Sequence, residues 1–339
     1  MPTAVARGLD MRRRDFVVGA VSFAAVTRVA AQPAANSRRL AIVSVSGSQS
    51  QMQEDSGNYI AVFLAELRRL GQIEGQNLTI ERYGKEQYQS NSAALAAQVV
   101  RSNPDVIYAI SLATLFQHET SRIPIVTITN DPVAAGFAQS LARPGGNITG
   151  VSVDAGPSIH GKRIALLREM FPAMSKLACI VAPRAWDSSG APVRAAAAAA
   201  GVTIVSVLID FPGNATIYRN AIAQAAREGA DAIMMLDSPD ALANRAVISE
   251  AIAEARIPAI HAFVEAVDAG GLMAYSFDLK ELIKRMAGNV DTILRGANPG
   301  DIPFYQVSKF ELSINLKAAK ALGLAVPATL LATADKVVE

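Results

Sequence analysis

Short runs of β-branched and aliphatic residues alternate along this chain with stretches whose apolar residues recur every three or four positions, and the series starts over after residue 150. Period-two runs make strands and 3.6-period runs make helices, so regular alternation of the two predicts parallel strands linked by crossover helices. The first series has strands at 40–45, 78–83, 106–110 and 125–128, with helices from Ile60 to Leu70, 91–101 and 115–120 between them. The second follows the run Ile148 to Ser152: helix 160–170, strand 177–181, helix 191–200, strand 203–209, helix 216–228, strand 232–236, helix 240–255, strand 259–262 and the run 272–276. Asp278, with Glu281 three residues on, then forms a capping box that opens a helix ended by Gly296 and Pro299. The remaining tail is too short for a third domain, so it returns to the first lobe and adds a last helix at 316–322. The expected fold is α/β, two Rossmann-like lobes with parallel sheets joined by a multi-strand hinge. Residues 37–151 plus about 277–305 form lobe 1, and 152–276 plus about 306–339 form lobe 2.

Composition excludes several classes. Hydrophobic residues make up 51% of the 339 against 18% charged, too apolar for disorder. The lone Cys179 permits no internal disulfide or cysteine metal cluster, and His118, His160 and His261 have no ligand spacing, so neither a metal nor a cofactor is expected. Cys179 lies inside an apolar strand and reads as inert core. The first 31 residues form a leader: Arg12-Arg13-Arg14 precedes the apolar run Phe16 to Val26, and Val29-Ala30-Ala31 offers a cleavage site. About 11 residues at 1.5 Å each make roughly 17 Å of helix, short of a hydrocarbon core of roughly 30 Å, so this is a signal peptide and not an anchor. Arg13-Arg14-x-Phe-Val matches a twin-arginine signal, with an ordinary secretory signal as the alternative and Met11 as a second start. Without the leader the chain has 27 basic against 28 acidic side chains, a net −1, which gives no support for nucleic-acid binding. No cysteine near the cleavage site means no lipid anchor, and the expected location is the periplasm.

Open α/β sheets bind ligands at the carboxyl ends of their strands. The loops there run Ser44 to Ser48 with Gly47, Ser111 to Thr114, Asn130-Asp131, Arg184 to Asp187 with Trp186, Asp237-Ser238, and Tyr275. Ser111 to Thr114 opens a helix whose free N–H groups and hydroxyls can hold a carboxylate. Asp131 or Asp237 can hold an ammonium group, and Trp186 or Tyr275 can stack on an apolar body. Gly156-Pro157-Ser158-Ile159-His160-Gly161-Lys162-Arg163 is one residue from a phosphate-binding loop, but Arg163 stands where a magnesium-binding hydroxyl is needed and Pro157 removes a backbone donor. It reads as a helix start with Lys162 and Arg163 solvated. His261, near a strand end, reads as a hydrogen-bonded structural histidine.

The stretches Asn130-Asp131-Pro132-Val133, Ser140 to Gly150, Gly161-Lys162-Arg163, Ala269 to Tyr275 and Asn315 to Leu324 resemble one family along the whole chain. They resemble the periplasmic substrate-binding proteins of ABC importers, in the type I binding-protein subgroup that includes tryptophan- and phenylalanine-binding members. The resemblance implies a two-lobed receptor, lined at Asp131-Pro132 and at Ser111 to Thr114, that closes on a small organic solute. It would deliver an amino acid or related carboxylate to a permease and its ATPase in the inner membrane. The chain departs from the family at Ala182 to Trp186 and at Leu112 to Thr114, both in the cleft. The expected receptor is monomeric and non-enzymatic. The alternatives are a ligand-sensing subunit of a membrane sensor and a periplasmic hydrolase or isomerase using Asp131 or Asp237.

Overall fold

A computed structural model of the chain describes residues 37–56, 58–153 and 158–339; the expected leader and the first two residues of the phosphate-loop-like stretch, Gly156 and Pro157, lie outside the described residues. The strands are β1 (Arg38–Val43), β2 (Leu78–Tyr83), β3 (Val106–Ala109), β4 (Ile125–Thr129), β5 (Ile148–Ser152), β6 (Lys176–Val181), β7 (Thr203–Leu208), β8 (Ala232–Met235), β9 (Ala259–His261), β10 (Met273–Ser276), β11 (Tyr305–Gln306), β12 (Glu311–Asn315) and β13 (Lys336–Val338). They form two sheets, ordered β11-β5-β4-β3-β1-β2 and β13-β12-β10-β9-β8-β6-β7. Every neighbouring pair is parallel except β10 with β12, so the fold is α/β with two parallel-dominated sheets.

Strand sequences follow their place in the sheet. β3, β8 and β9 are buried at every residue, and β3 and β8 read as unbroken apolar runs, whereas the edge strand β7 alternates buried and exposed positions toward its end. Helices cover both faces of each sheet. Phe63, Leu67, Ile283 and Met286 pack one face of the first, and Leu95, Val99 and Phe116 the other. Leu167, Met170 and Val193 pack one face of the second, and Tyr218, Ile222 and Ile252 the other. Each fully buried side chain of this kind contributes about 1.5–3 kcal/mol. Gly150 in β5 has φ +146°, and a Cβ there would lie 1.8 Å from the Thr127 carbonyl oxygen, so only glycine lets β4 and β5 pair at this point.

The chain passes between the two sheets three times: from β5 to the helix Ser158–Met170, from β10 to the helix Leu279–Leu294, and from β11 to β12. The Val307 N–H donates to the Ser152 carbonyl at 3.0 Å, tying the first and third crossings. Phe277 and Phe310, on the second and third, meet edge to face with ring centroids 6.3 Å apart, and Phe310 stacks on Tyr275 at 5.6 Å.

Several local expectations change. The segment 184–187 is not a loop: the helix begins at Pro183, eight residues earlier than the alanine run suggests, because proline at the first helical position is pre-set for helix and gives up a donor that would be unpaired anyway. The expected helix 240–255 is two, Pro239–Ala243 and Arg245–Ala255, broken at Asn244. The short helices Lys85–Ser90 and Val264–Asp268 and the strands β12 and β13 were not expected; the tail thus contributes β11 to the first sheet and two strands to the second.

Candidate functional site

On the first sheet the candidate residues sit at the carboxyl ends of β1, β3 and β4, and local backbone geometry occupies most of their polar atoms. The Ser44 hydroxyl accepts from the Gly47 N–H at 2.9 Å and from that of Ser46 at 3.4 Å. The Gly47 carbonyl in turn accepts from the Lys85 N–H. Exposed Asp131 receives the N–H groups of Val133 and Ala134 on one carboxylate oxygen, at 2.9 and 3.0 Å. The carbonyl of Asn130 accepts the Ser152 hydroxyl at 2.6 Å, which links the ends of β4 and β5. Ser111 has φ +58°, a left-handed conformation unfavourable for a residue with a Cβ, and Thr114 lies in the first turn of the one-turn helix Ala113–Gln117. The residue before that helix, Leu112, supplies no side-chain cap.

On the second sheet the arrangement is different. Asp237, just past the end of β8, forms a two-pronged ion pair with Arg163: Nη1 to Oδ2 is 2.7 Å and Nη2 to Oδ1 is 3.1 Å. Arg163 Nε also donates to the carbonyl of Tyr275 at 3.0 Å. The Asp237 side chain is 28% exposed while that of Arg163 is completely buried. A buried guanidinium needs such a partner, because removing the charge from water costs several kcal/mol. The expectation that Arg163 is solvated is therefore wrong, and the spacing held the correct answer: Arg163, Leu166, Leu167 and Met170 form one buried stripe of the helix Ser158–Met170, while Lys162 is exposed. Three and four residues separate its members. Trp186 lies on the helix Pro183–Ala199, half-buried, with the Arg194 guanidinium 5.3 Å from its ring and Gly190 under its edge.

Arg163 thus brings Asp237 and Tyr275 together, while Ser44 with Gly47, Ser111 with Thr114, and Asn130 with Asp131 remain separate loop ends. The sequence missed a contact between the two lobes. The Tyr59 phenol, at the start of the helix Tyr59–Arg69, donates to the carboxylate of Glu265, on the helix after β9. Burial and the adjacent Glu265 charge push the Tyr59 phenol well above its ordinary range. Around this contact Leu242, Ala262 and Phe263 of the second lobe pack on the apolar cluster of the first.

His261 is buried, but its Nε2 has no hydrogen-bond partner, which corrects the expectation of a hydrogen-bonded histidine. Burial pushes its pKa down to about 4. It borders a cavity shared with Leu242, Arg245 and Phe263 that has about 10 Å³ of water-accessible space, room for one water molecule. Cys179 is fully buried, with its thiol pushed up to about 12 by burial, and is core as read. Among the described residues no cluster of His, Cys, Asp or Glu has metal-site geometry, and no helix is long and apolar enough to cross a membrane.

Comparison with known families and structures decides what this two-sheet frame is. The profile of the family described as ABC transporter substrate binding protein matches residues 52–338. The chain belongs to this family. This substrate-binding protein is 25% identical over 280 residues to the tyrosine-binding protein of Clostridioides difficile, covering 77% of the present chain and 75% of that one. Among solved structures it is similar to a conserved domain protein from Vibrio cholerae, at TM-score 0.77 and 24% identity, covering 89% of this chain and 99% of that one. It is also similar to the ABC domain in complex with L-Trp from Streptococcus pneumonia, at TM-score 0.76 and 20% identity, covering 89% and 100%. These likenesses agree with the type I periplasmic binding-protein architecture read from the sequence.

Proposed function

We propose that this substrate-binding protein is an exported receptor that closes on a small zwitterion with an aromatic body, in the class of tyrosine and tryptophan, and hands it unchanged to a membrane permease driven by an ATPase. The family match over 52–338 carries the reading. The tyrosine-binding relative and the L-Trp complex support the solute class, and the Arg-rich leader with its small-residue cleavage site supports export to the periplasm. The chain's own residues fit the role. Strand ends of the two sheets offer backbone N–H groups without a side-chain cap near Ser111 for a carboxylate, the Asp237 carboxylate for an ammonium group, and the half-buried Tyr275 ring for an aromatic face. A solute touching both lobes favours their approach by its differential affinity for the closed state, and the three crossings supply the hinge.

A thermal-shift screen of the chain from Gln32 onward, against amino acids, aromatic acids, purines and sugars, tests this. A solute at 100 times its dissociation constant adds about 2.7 kcal/mol of stability, and L-tyrosine or L-tryptophan is expected to do so. The bound compound is expected back intact when the protein is denatured. Stabilisation by sugars or purines alone would overturn the solute class, and recovery of a converted product would overturn the receptor reading.

A further inference from the structure

Arg163 is sealed from solvent, and it spends its donors on two residues that stand at the carboxyl ends of strands of the same sheet. Three of its N–H groups are used, two on the Asp237 carboxylate and one on the Tyr275 carbonyl. Asp237 lies between this buried cation and the partly open end of β8. A fork-to-fork pair takes one lone-pair direction on each carboxylate oxygen and leaves the others, so the carboxylate is fixed in plane while still able to accept from a second donor. The bond to the Tyr275 carbonyl fixes the end of β10, two residues before the chain crosses to the helix Leu279–Leu294.

We propose that Arg163 is a positioning residue of the solute site, which holds the Asp237 carboxylate in the orientation that accepts the solute's ammonium group and sets the strand end carrying Tyr275 beside it. The inference rests on the proposed amino-acid receptor function. Its physical basis is pre-organisation: a carboxylate already locked by a buried guanidinium loses no rotamer freedom when the ammonium arrives. A lysine at 163 would keep the charge but not the planar fork, so Asp237 would be held at one point and swing. The arrangement also leaves the charge of Asp237 compensated from below, which suits an ammonium belonging to a zwitterion.

The test is calorimetric titration with two probes, L-tyrosine and 3-(4-hydroxyphenyl)propanoate, which differ in the ammonium group. Arg163→Lys, checked for folding by circular dichroism, is expected to lower the preference for L-tyrosine over the propanoate by about tenfold or more, the worth of a charged hydrogen bond. Asp237→Asn is expected to do at least the same, and adding Arg163→Lys to it is expected to change the preference no further, because the two act as one unit. A purely structural role for Arg163 would weaken both probes alike and leave their ratio untouched. Should Arg163→Lys fail to fold, Arg163→Gln gives the same comparison with a neutral donor. An unchanged ratio in a folded variant that still binds L-tyrosine overturns the Arg163 role and leaves the receptor function standing. Failure of the unsubstituted protein to bind either probe or any other amino acid overturns the solute class, and the ammonium role of Asp237 with it.

Discussion

The polar rims of the two lobes are built in opposite ways. In the first, Ser44 and Asp131 serve backbone groups two or three residues away, so their side chains shape their own loops. In the second, Asp237 is held by a side chain 74 residues away that is sealed inside the lobe. A rim of self-capped turns tolerates exchange of one side chain, because each turn holds itself; a rim held by a buried charge does not, because its members stand or fall together.

The largest expected difference between the rims follows from that pairing. Asp237→Leu leaves Arg163 buried without its counter-ion and is expected to cost about 3–5 kcal/mol in urea denaturation. Adding Arg163→Met is expected to recover most of the loss, since an apolar pair can replace a buried ion pair at little cost. A loss below 1 kcal/mol on the single substitution would show that the second rim is no more interdependent than the first.

Acid separates the lobes next. His118 of the first lobe is exposed, whereas His261 of the second is buried with its pKa down at about 4. An unfolded imidazole takes up its proton near pH 6.5, the buried one only near 4, so the stability held by the neutral buried form is complete above pH 6.5. It then falls by about 1.4 kcal/mol per pH unit as pH drops toward 4. Melting temperatures recorded between pH 7 and 4.5 are expected to fall more steeply for the unsubstituted protein than for His261→Asn. Parallel curves would remove His261 from the account.

The smallest effect is expected in the first rim. Asp131→Ala removes two turn hydrogen bonds at an exposed site and is expected to cost about 0.5–1.5 kcal/mol, with a smaller change in L-tyrosine affinity than Asp237→Asn gives. If Asp131→Ala abolishes binding while Asp237→Asn does not, the ammonium partner belongs to the first lobe and the contrast is inverted.

How much of this was readable beforehand depends on the range of each interaction. The alternation of strands and helices is local, and the α/β class with two sheets follows from it, as does the cap at Asp278, whose side chain receives the Glu281 N–H. The helix at Pro183 is also locally encoded, by proline at its first position. The three-residue β13 carries too few residues to show a period, whereas β12, Glu311–Asn315, alternates polar and apolar residues and was there to be read. The site was less legible because its partners are remote in sequence. Arg163 could be placed inside by its helical spacing, but nothing near it names Asp237. Likewise nothing near Tyr59 names Glu265, 206 residues away.

That last contact has a bearing on transport economy. A hydrogen bond to a carboxylate contributes about 1.5–3 kcal/mol, which shifts a two-state equilibrium by roughly 10- to 150-fold. Because Tyr59 and Glu265 both belong to the protein, their bond draws the lobes together whether or not a solute lies between them. For a receptor of the proposed kind this raises sensitivity to scarce solute, since less of the closing must come from the cargo. It also raises the share of empty, shut receptors that compete with loaded ones for the permease. In a receptor of that kind, the strength of one phenol-to-carboxylate bond would set a balance between scavenging dilute solute and idling the transporter.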